Sequence, residues 1–244
     1  MMFTFHSTWR RQMLVLGLAV FSCFAQAQHE ADSHSPVVYA IPESNGLAQS
    51  PINIVTGSVV SAHHDIAVHY ENSDEHLINT GHTLEADFEP GSYLDYDGVR
   101  YDLRQLHFHT PAEHLINGIT YPMEVHLVHT QQNDPANYLV VGILFSEGRE
   151  NDFLARVLDH APRQAGEQYT DNLPMNALDM LEAIDGYYHY EGSLTTAPYS
   201  ETVTWLLMKS PHEASAAQIE QLNLIEGDNA RHIQSLHARR IEVE

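Results

Sequence analysis

The sequence is poor in cysteine and in basic residues, and each shortage argues against a class of protein. Cys23 is the only cysteine among 244 residues, so the chain beyond it has neither a disulfide nor a thiol nucleophile. There are 11 Lys and Arg against 33 Asp and Glu, which gives a formal net charge of −22. Because phosphate contacts need clustered cations, this balance argues against binding to nucleic acid or to an anionic membrane surface.

Long apolar runs are also missing, apart from one short run near the N-terminus. Residues 13–21 are apolar, follow the basic pair 10–11 and precede an Ala-Gln-Ala sequence. This order is typical of a signal peptide, so we expect removal of residues 1–27 and a periplasmic or secreted protein. Lipidation at Cys23 is the alternative, but Phe21 stands where such sites prefer a small residue. No later run reaches about 18 apolar residues, so no transmembrane segment is predicted.

The rest of the chain divides into a short leader and one sheet-rich domain. Residues 28–48 are polar and aperiodic, which predicts a flexible leader, and no repeat or linker interrupts residues 49–244. Short β-branched or aromatic runs such as 138–145 alternate with turn signals. Helical periodicity appears only at 152–161 and at 216–222, after a Ser cap. We therefore expect a mainly β (α+β) single domain with short surface helices.

Histidine is abundant, with 18 residues, and three of them stand where strand geometry can bring them together. In a strand with period-two alternation, Gln105, His107 and His109 share one face. The same alternation places Glu124 and His126 on one face of a second predicted strand. If the two strands are antiparallel neighbours, three neutral imidazoles converge.

Three histidines with an open fourth position form a ligand set of catalytic zinc, whereas structural zinc usually has four protein ligands rich in cysteine. Gln105 and Glu124, on the ligand faces, can accept a hydrogen bond from the rings of His107 and His126 and fix their tautomers. Ordinary, partly buried strand histidines are the alternative. The sequence contains no His-Glu-x-x-His motif, which argues against a zinc peptidase.

Several ordered motifs carry a resemblance to a known family. They are Asn79-Thr80-Gly81-His82, Gln105-Leu106-His107-Phe108-His109, Ala112-Glu113-His114, Met123-Glu124-Val125-His126-Leu127-Val128-His129 and Gly192-Ser193-Leu194-Thr195-Thr196-Ala197-Pro198. In these the chain resembles the α-class carbonic anhydrases, from residue 49 to residue 234, and the form of residues 110–118 looks like the bacterial branch. The resemblance implies a large, twisted, mostly antiparallel sheet with a metal at the base of a conical cleft.

The resemblance also implies a reaction and a role for each site residue. The reaction is reversible hydration of CO2 to bicarbonate and a proton. A hydroxide bound to Zn²⁺ would attack CO2, and His107, His109 and His126 would hold the Zn²⁺. Thr195 would orient the hydroxide and donate its own hydroxyl hydrogen to ionised Glu113. His82 would carry the proton to buffer. The substrate pocket would be lined by Val128, Val140, Leu194, Thr196, Val203 and Trp205.

The zinc histidines would in turn be held by three residues that the resemblance names. Gln105 would bond His107, Glu124 would bond His126, and the Asn229 backbone would bond His109. A homodimer is a further implication, since bacterial relatives often pair.

The chain also departs from the family pattern around Thr195. Tyr199 stands where the family has the second cysteine of its disulfide, and Ala197 replaces a proline, so the stiffness of this loop must come from packing. An aromatic N-terminal segment seen in many bacterial members is missing. Two alternatives therefore remain open beside the enzyme: a catalytically weak relative that holds zinc or a partner, and another zinc hydrolase.

Overall fold

The computed structural model describes residues 46–181, 184 and 186–244, and the predicted signal peptide and most of the predicted leader lie outside them. The strands of this part are β1 (Asn53–Ile54), β2 (Val60–Ser61), β3 (Ile66–His69), β4 (Ser73–Asn79), β5 (Leu84–Asp87), β6 (Tyr93–Tyr96), β7 (Val99–His109), β8 (Leu115–Ile116), β9 (Ile119–Thr120), β10 (Met123–Gln131), β11 (Asp134–Glu147), β12 (Gln168–Met175), β13 (Tyr187–Gly192), β14 (Val203–Met208), β15 (His212–Ala214) and β16 (Glu242–Val243). The α-helices are α1 (Asp152–His160) and α2 (Ala216–Glu226), and 3-10 turns cover Thr56–Ser58 and Ala177–Asp179.

A large mixed sheet dominates the described residues. It has 13 strands, ten of them in the order β12-β4-β5-β7-β10-β11-β14-β13-β16-β2, while β15 pairs with β11 and β3 pairs with β7 through β6. Most neighbours are antiparallel, but β11 runs parallel to β14 and β15, and β16 runs parallel to β2. Strands β1, β8 and β9 form a separate small sheet. The predicted mainly β fold class is confirmed.

The two helices begin at the caps that the sequence provides. The Asn151 side chain accepts a backbone hydrogen bond at the start of α1. Ser215 and Gln218 form a reciprocal capping box at the start of α2. The prediction of two short helices is confirmed, although α2 continues to Glu226 and ends at Gly227, which has a φ of 70°. Within the described residues, no helix is both long enough and apolar enough to cross a membrane.

Side-chain alternation divides the core into two apolar layers on the two faces of the sheet. Leu106 and Phe108 of β7 are fully buried in the larger layer. The smaller layer contains Val140, Tyr190 and Trp205, from the adjoining strands β11, β13 and β14. His107, which lies between Leu106 and Phe108, must therefore face the side of the smaller layer. This assignment of faces positions the histidine site.

Candidate metal centre

Strand register brings the three predicted histidines together. Strands β7 and β10 are antiparallel neighbours, with His107 opposite His126 and His109 opposite Glu124. The ring centroids of His107, His109 and His126 are 4.6 to 5.1 Å apart. One nitrogen from each ring lies within 4.8 Å of the other two. The antiparallel pairing assumed from the sequence is the one observed.

The hydrogen bonds of the three rings fit a metal ion. His126 Nδ1 and His107 Nε2 face each other at 3.3 Å. The outer nitrogens of these two rings bond Gln105 Oε1 at 2.8 Å and Glu124 Oε1 at 2.9 Å. Both ring nitrogens of His109 are buried and have no hydrogen-bond partner in the described part of the chain. Unpaired buried nitrogens are costly, so a ligand at this point would remove a penalty.

The electrostatic surroundings keep the ligands in the form that metals bind. Burial lowers the pKa of His107 and His109 well below 6.5, and the neighbouring His126 lowers both further. Neutral imidazoles with free lone pairs are therefore present near neutral pH. Since metal ligands must be deprotonated, the centre is prepared for binding.

Glu124 anchors a buried polar network behind the histidines. Its Oε2 accepts the backbone N–H groups of Glu113 and His114 at 2.9 and 2.8 Å. Its Oε1 accepts from His126 and from His114 Nδ1, the latter at 2.7 Å. Burial alone would raise the pKa of this carboxyl, but the contacts from His114 and His126 outweigh it and hold the pKa well below 4.5. Glu124 is therefore a carboxylate with all its acceptors used.

His114 extends this network away from the centre, and its role was not foreseen from the sequence. His114 Nε2 lies 2.6 Å from the Tyr190 hydroxyl, which donates to Ser50 Oγ at 2.9 Å. The chain of contacts crosses from β10 to β13 and the segment before β1. The signal available in the sequence was the Glu113-His114 pair within a recognised motif.

Glu113 is buried beside the metal ligands. Its Oε1 accepts the backbone N–H of Arg231 at 2.8 Å, and its Oε2 lies 3.7 Å from His109 Nε2. Burial raises the pKa of Glu113 to about 7, against the lowering effects of the Arg231 N–H and the Thr195 hydroxyl. No hydrogen bond of normal geometry reaches Oε2 from the residues described here. Glu113 thus has one oxygen fixed and one free beside Thr195 and the centre.

A cleft of about 120 Å³ opens above the three histidines. It is lined by His82, Thr195 and five of the six predicted pocket residues, namely Val128, Val140, Leu194, Thr196 and Trp205. Val203 is not among the residues that line it, and its side chain is fully buried in the smaller core layer. Four apolar side chains, those of Val128, Val140, Leu194 and Trp205, therefore line the cleft together with the histidines.

Two cleft residues, Thr83 and Glu85, were missed. Glu85 lies opposite His107 in the pairing of β5 with β7, and its Oε2 accepts from Gln105 Nε2 at 3.0 Å. Burial, together with Asp87, raises the pKa of Glu85 to about 7. A single acidic residue between apolar neighbours, three positions after His82, was the signal.

The Asn229 side chain holds the backbone beside His109, and the predicted bond between the Asn229 backbone and the His109 ring stays a prediction. The Asn229 side chain accepts the Thr110 N–H at 3.0 Å and donates to the carbonyls of Phe108 and His82 at 3.1 and 3.0 Å. His109 Nδ1 receives no bond from it among the described residues. The Asn229 side chain thus satisfies backbone groups on both sides of His109.

Packing holds the Thr195 loop where a disulfide was missing from the sequence. The Arg231 guanidinium lies 3.9 Å from the centre of the Tyr199 ring. Its Nη1 and Nη2 donate to the Ser50 carbonyl at 2.6 Å and to Gln49 Oε1 at 2.9 Å. Gln49 Nε2 in turn donates to the Tyr199 carbonyl at 3.1 Å. The expectation that packing stiffens this loop agrees with these contacts.

The fold and the site together define a mainly β protein with a buried three-histidine centre under an apolar cleft. A sequence model of the eukaryotic-type carbonic anhydrase family matches residues 36–244. The chain therefore belongs to the eukaryotic-type, or α-class, carbonic anhydrase family.

Curated relatives and solved structures agree with this assignment. A carbonic anhydrase of Nostoc sp. is 36% identical over 199 residues, which cover 80% of this chain and 75% of the relative. One from Neisseria gonorrhoeae is 38% identical over 198 residues, covering 80% and 77%. The α-carbonic anhydrase of Thermovibrio ammonificans, solved with the inhibitor sulfanilamide, superposes with a TM-score of 0.78 and is 38% identical, covering 82% of this chain and 88% of that one. The predicted enzyme class is confirmed.

Proposed function

We propose that this protein is a zinc-dependent carbonic anhydrase, a lyase that hydrates CO2 reversibly to bicarbonate and a proton. The observation that carries the proposal is the convergence of His107, His109 and His126 in a chain of this family. The unpaired nitrogens of buried His109 support a metal as the missing partner. A bound zinc ion would supply Lewis acidity that makes water a nucleophile near neutral pH.

Gln105 and Glu124 prepare the ligand atoms. Each accepts the ring hydrogen of its histidine, which leaves a lone pair on His107 Nε2 and on His126 Nδ1. The amide of Gln105 is itself oriented, because Glu85 accepts from its nitrogen and so turns its oxygen toward His107. These contacts favour one tautomer of each ring before any metal arrives.

Thr195 and Glu113 orient the attacking oxygen. We assign to Glu113 the role of accepting the Thr195 hydroxyl hydrogen, which leaves only lone pairs on the Thr195 oxygen. An attacking oxygen beside Thr195 then donates its hydrogen to Thr195 and directs a lone pair at the carbon of CO2. The free Oε2 of Glu113 and the influence of Thr195 on its pKa support this assignment.

The cleft wall receives the substrate, and His82 releases the proton. CO2 is apolar, so the side chains of Val128, Val140, Leu194 and Trp205 provide a suitable surface. His82 is exposed and lines the cleft, so its ring borders both the site and solvent. An imidazole can both accept and release a proton, which suits it to passing one to buffer.

Export and assembly belong to the same proposal and are supported by sequence patterns alone. Residues 1–27 would direct the chain to the periplasm or outside the cell, residues 28–48 would form a leader, and two copies would pair as in bacterial relatives. Cell fractionation and the mass of the purified protein in solution test these points. A cytoplasmic, uncleaved chain would contradict export, and a monomer at high protein concentration would contradict pairing.

Stopped-flow CO2 hydration by the full chain tests the catalytic proposal, with zinc measured in the same sample before and after chelation. Activity should disappear with the zinc and return when zinc is added. His109→Ala should lose the zinc of this three-histidine centre together with the activity. The matched control is His76→Ala, which changes a partly exposed histidine of β4 that lies beside Asp87 of β5 and should lose neither. Full zinc occupancy with negligible hydration would favour a zinc-holding relative without catalysis.

A further inference from the structure

A second group of metal-type ligands lies outside the cleft. His64 Nε2 and His189 Nδ1 both contact Glu242 Oε2, each at 3.0 Å. The two ring centroids are 4.9 Å apart, within the 4.6 to 5.1 Å range of the three-histidine centre. Zinc bonds of about 2.0–2.1 Å in a tetrahedron separate ligand atoms by about 3.3 Å, so small shifts would admit an ion. We propose that His64, His189 and Glu242 form a second zinc site.

The outer hydrogen bonds of both histidines match those of metal-bound imidazoles. His64 Nδ1 lies 2.8 Å from Asp97 Oδ2, and His189 Nε2 lies 3.2 Å from Glu191 Oε1. A carboxylate on the outer nitrogen holds the ring hydrogen there and leaves the lone pair on the inner nitrogen. A metal ion that replaced the two inner ring hydrogens would meet both inner nitrogens beside the same Glu242 oxygen, while the outer carboxylates kept a hydrogen on each ring.

The carboxylate ligand is also prepared for this role. Glu242 Oε1 is occupied by Arg240 Nε at 3.1 Å, which leaves Oε2 for the site. Two histidines and one carboxylate form a recognised zinc ligand set with room for a fourth ligand.

The second site is separate from the cleft and open to solvent. Along β13, Tyr188 and Tyr190 pack into the smaller core layer on the cleft side, so His189 between them faces the opposite side of the sheet. The side chains of His64, His189 and Glu242 are 16%, 12% and 19% exposed. An ion can therefore enter without passing through the catalytic cleft.

A metal at this point would cross-link three distant parts of the chain. The ligands come from the segment before β3, from β13 and from the C-terminal strand β16, which pairs with β13 at only two positions. Since no cysteine follows Cys23, no disulfide can fix this strand. Zinc binding to the folded state would stabilise it by mass action.

The test is the zinc stoichiometry of the full chain, equilibrated with buffered micromolar Zn²⁺ at pH 7.5 and measured by mass spectrometry of the metal. We expect two zinc ions per chain, one ion in His189→Gln and in Glu242→Gln, and one in His109→Ala. His69→Gln is the matched control, because His69 is half exposed and faces a single carboxylate, Asp95, at 3.8 Å; it should keep two. Adding a second molar equivalent of zinc should raise the Tm of the wild type but not that of His189→Gln.

Affinity adds a graded readout that does not depend on catalysis. Loss of a hydrogen bond to the outer nitrogen of a metal-bound histidine lowers metal affinity about 10–100-fold. Asp97→Asn should therefore lower the affinity for the second zinc ion by that factor and leave CO2 hydration unchanged. A wild-type chain that binds only one zinc ion would overturn the proposal, because the imidazoles and carboxylates of this group would then be linked by hydrogen bonds alone. A second ion that persists in both His189→Gln and Glu242→Gln would also overturn it, because the ion would lie elsewhere.

Discussion

Replacing Glu124 with Gln should release His126 from the metal without changing the shape of the site. Glu124 Oε2 faces two backbone N–H groups, and Oε1 faces the rings of His114 and His126. A glutamine has one oxygen, and backbone N–H groups cannot change into acceptors, so the oxygen must take the backbone side. The amide nitrogen then faces the two rings and forces each to accept, which places the hydrogen of His126 on Nδ1.

The expected loss follows from this tautomer change. Because Nδ1 is the atom that faces His107 Nε2 at 3.3 Å, a hydrogen there opposes metal binding directly. Changes in the outer contacts of metal ligands cost about 10–100-fold in affinity, which corresponds to about 1.4–2.7 kcal/mol. We expect at least this loss of zinc affinity, and loss of CO2 hydration at limiting zinc.

Competition with a chromophoric chelator measures the affinity, and a buried glutamate elsewhere provides the control. Glu75 is also buried and accepts a hydrogen bond from a histidine, His160 Nδ1, at 2.9 Å. Glu75→Gln should lower stability in a similar way but leave zinc affinity unchanged. If Glu124→Gln bound zinc as tightly as the wild type, the reasoning about tautomers would be refuted.

Three further predictions concern the proton path, the loop and a buried acid. His82→Ala should slow CO2 hydration in weak buffer, and added imidazole should restore it; an unchanged rate in weak buffer would exclude His82 as the shuttle. The Tm should not respond to reductant, whereas Tyr199→Ala should lower it by removing the stack with Arg231; a reductant-dependent fall would contradict the absence of a disulfide. Burial raises the pKa of Glu226 from 4.5 to about 8, so ionisation favours the unfolded chain and the wild type loses stability as pH rises between these values. Glu226→Gln lacks this loss, so its stability relative to wild type should rise by on the order of 3 kcal/mol from pH 5 to pH 8 in urea unfolding; a constant difference across this range would refute the assignment.

The parts of the site that lie within one strand were predictable from the sequence. Period-two alternation is a property of the local backbone. It placed His107 and His109 on one face of their strand, and Glu124 and His126 on one face of the next. The helix cap at Ser215 follows from an equally local rule. These features need only neighbouring residues.

Contacts between distant segments required the tertiary structure. Glu85 reaches Gln105 across 20 residues, and the Asn229 side chain holds the backbone on both sides of His109. His64 and Glu242 meet across 178 residues.

The sequence by itself determined the fold class, the family and the identity of the candidate ligands, because strand alternation and short motifs are local. Only the tertiary structure decided which groups meet, because the register of strands far apart in the chain depends on packing across the whole sheet.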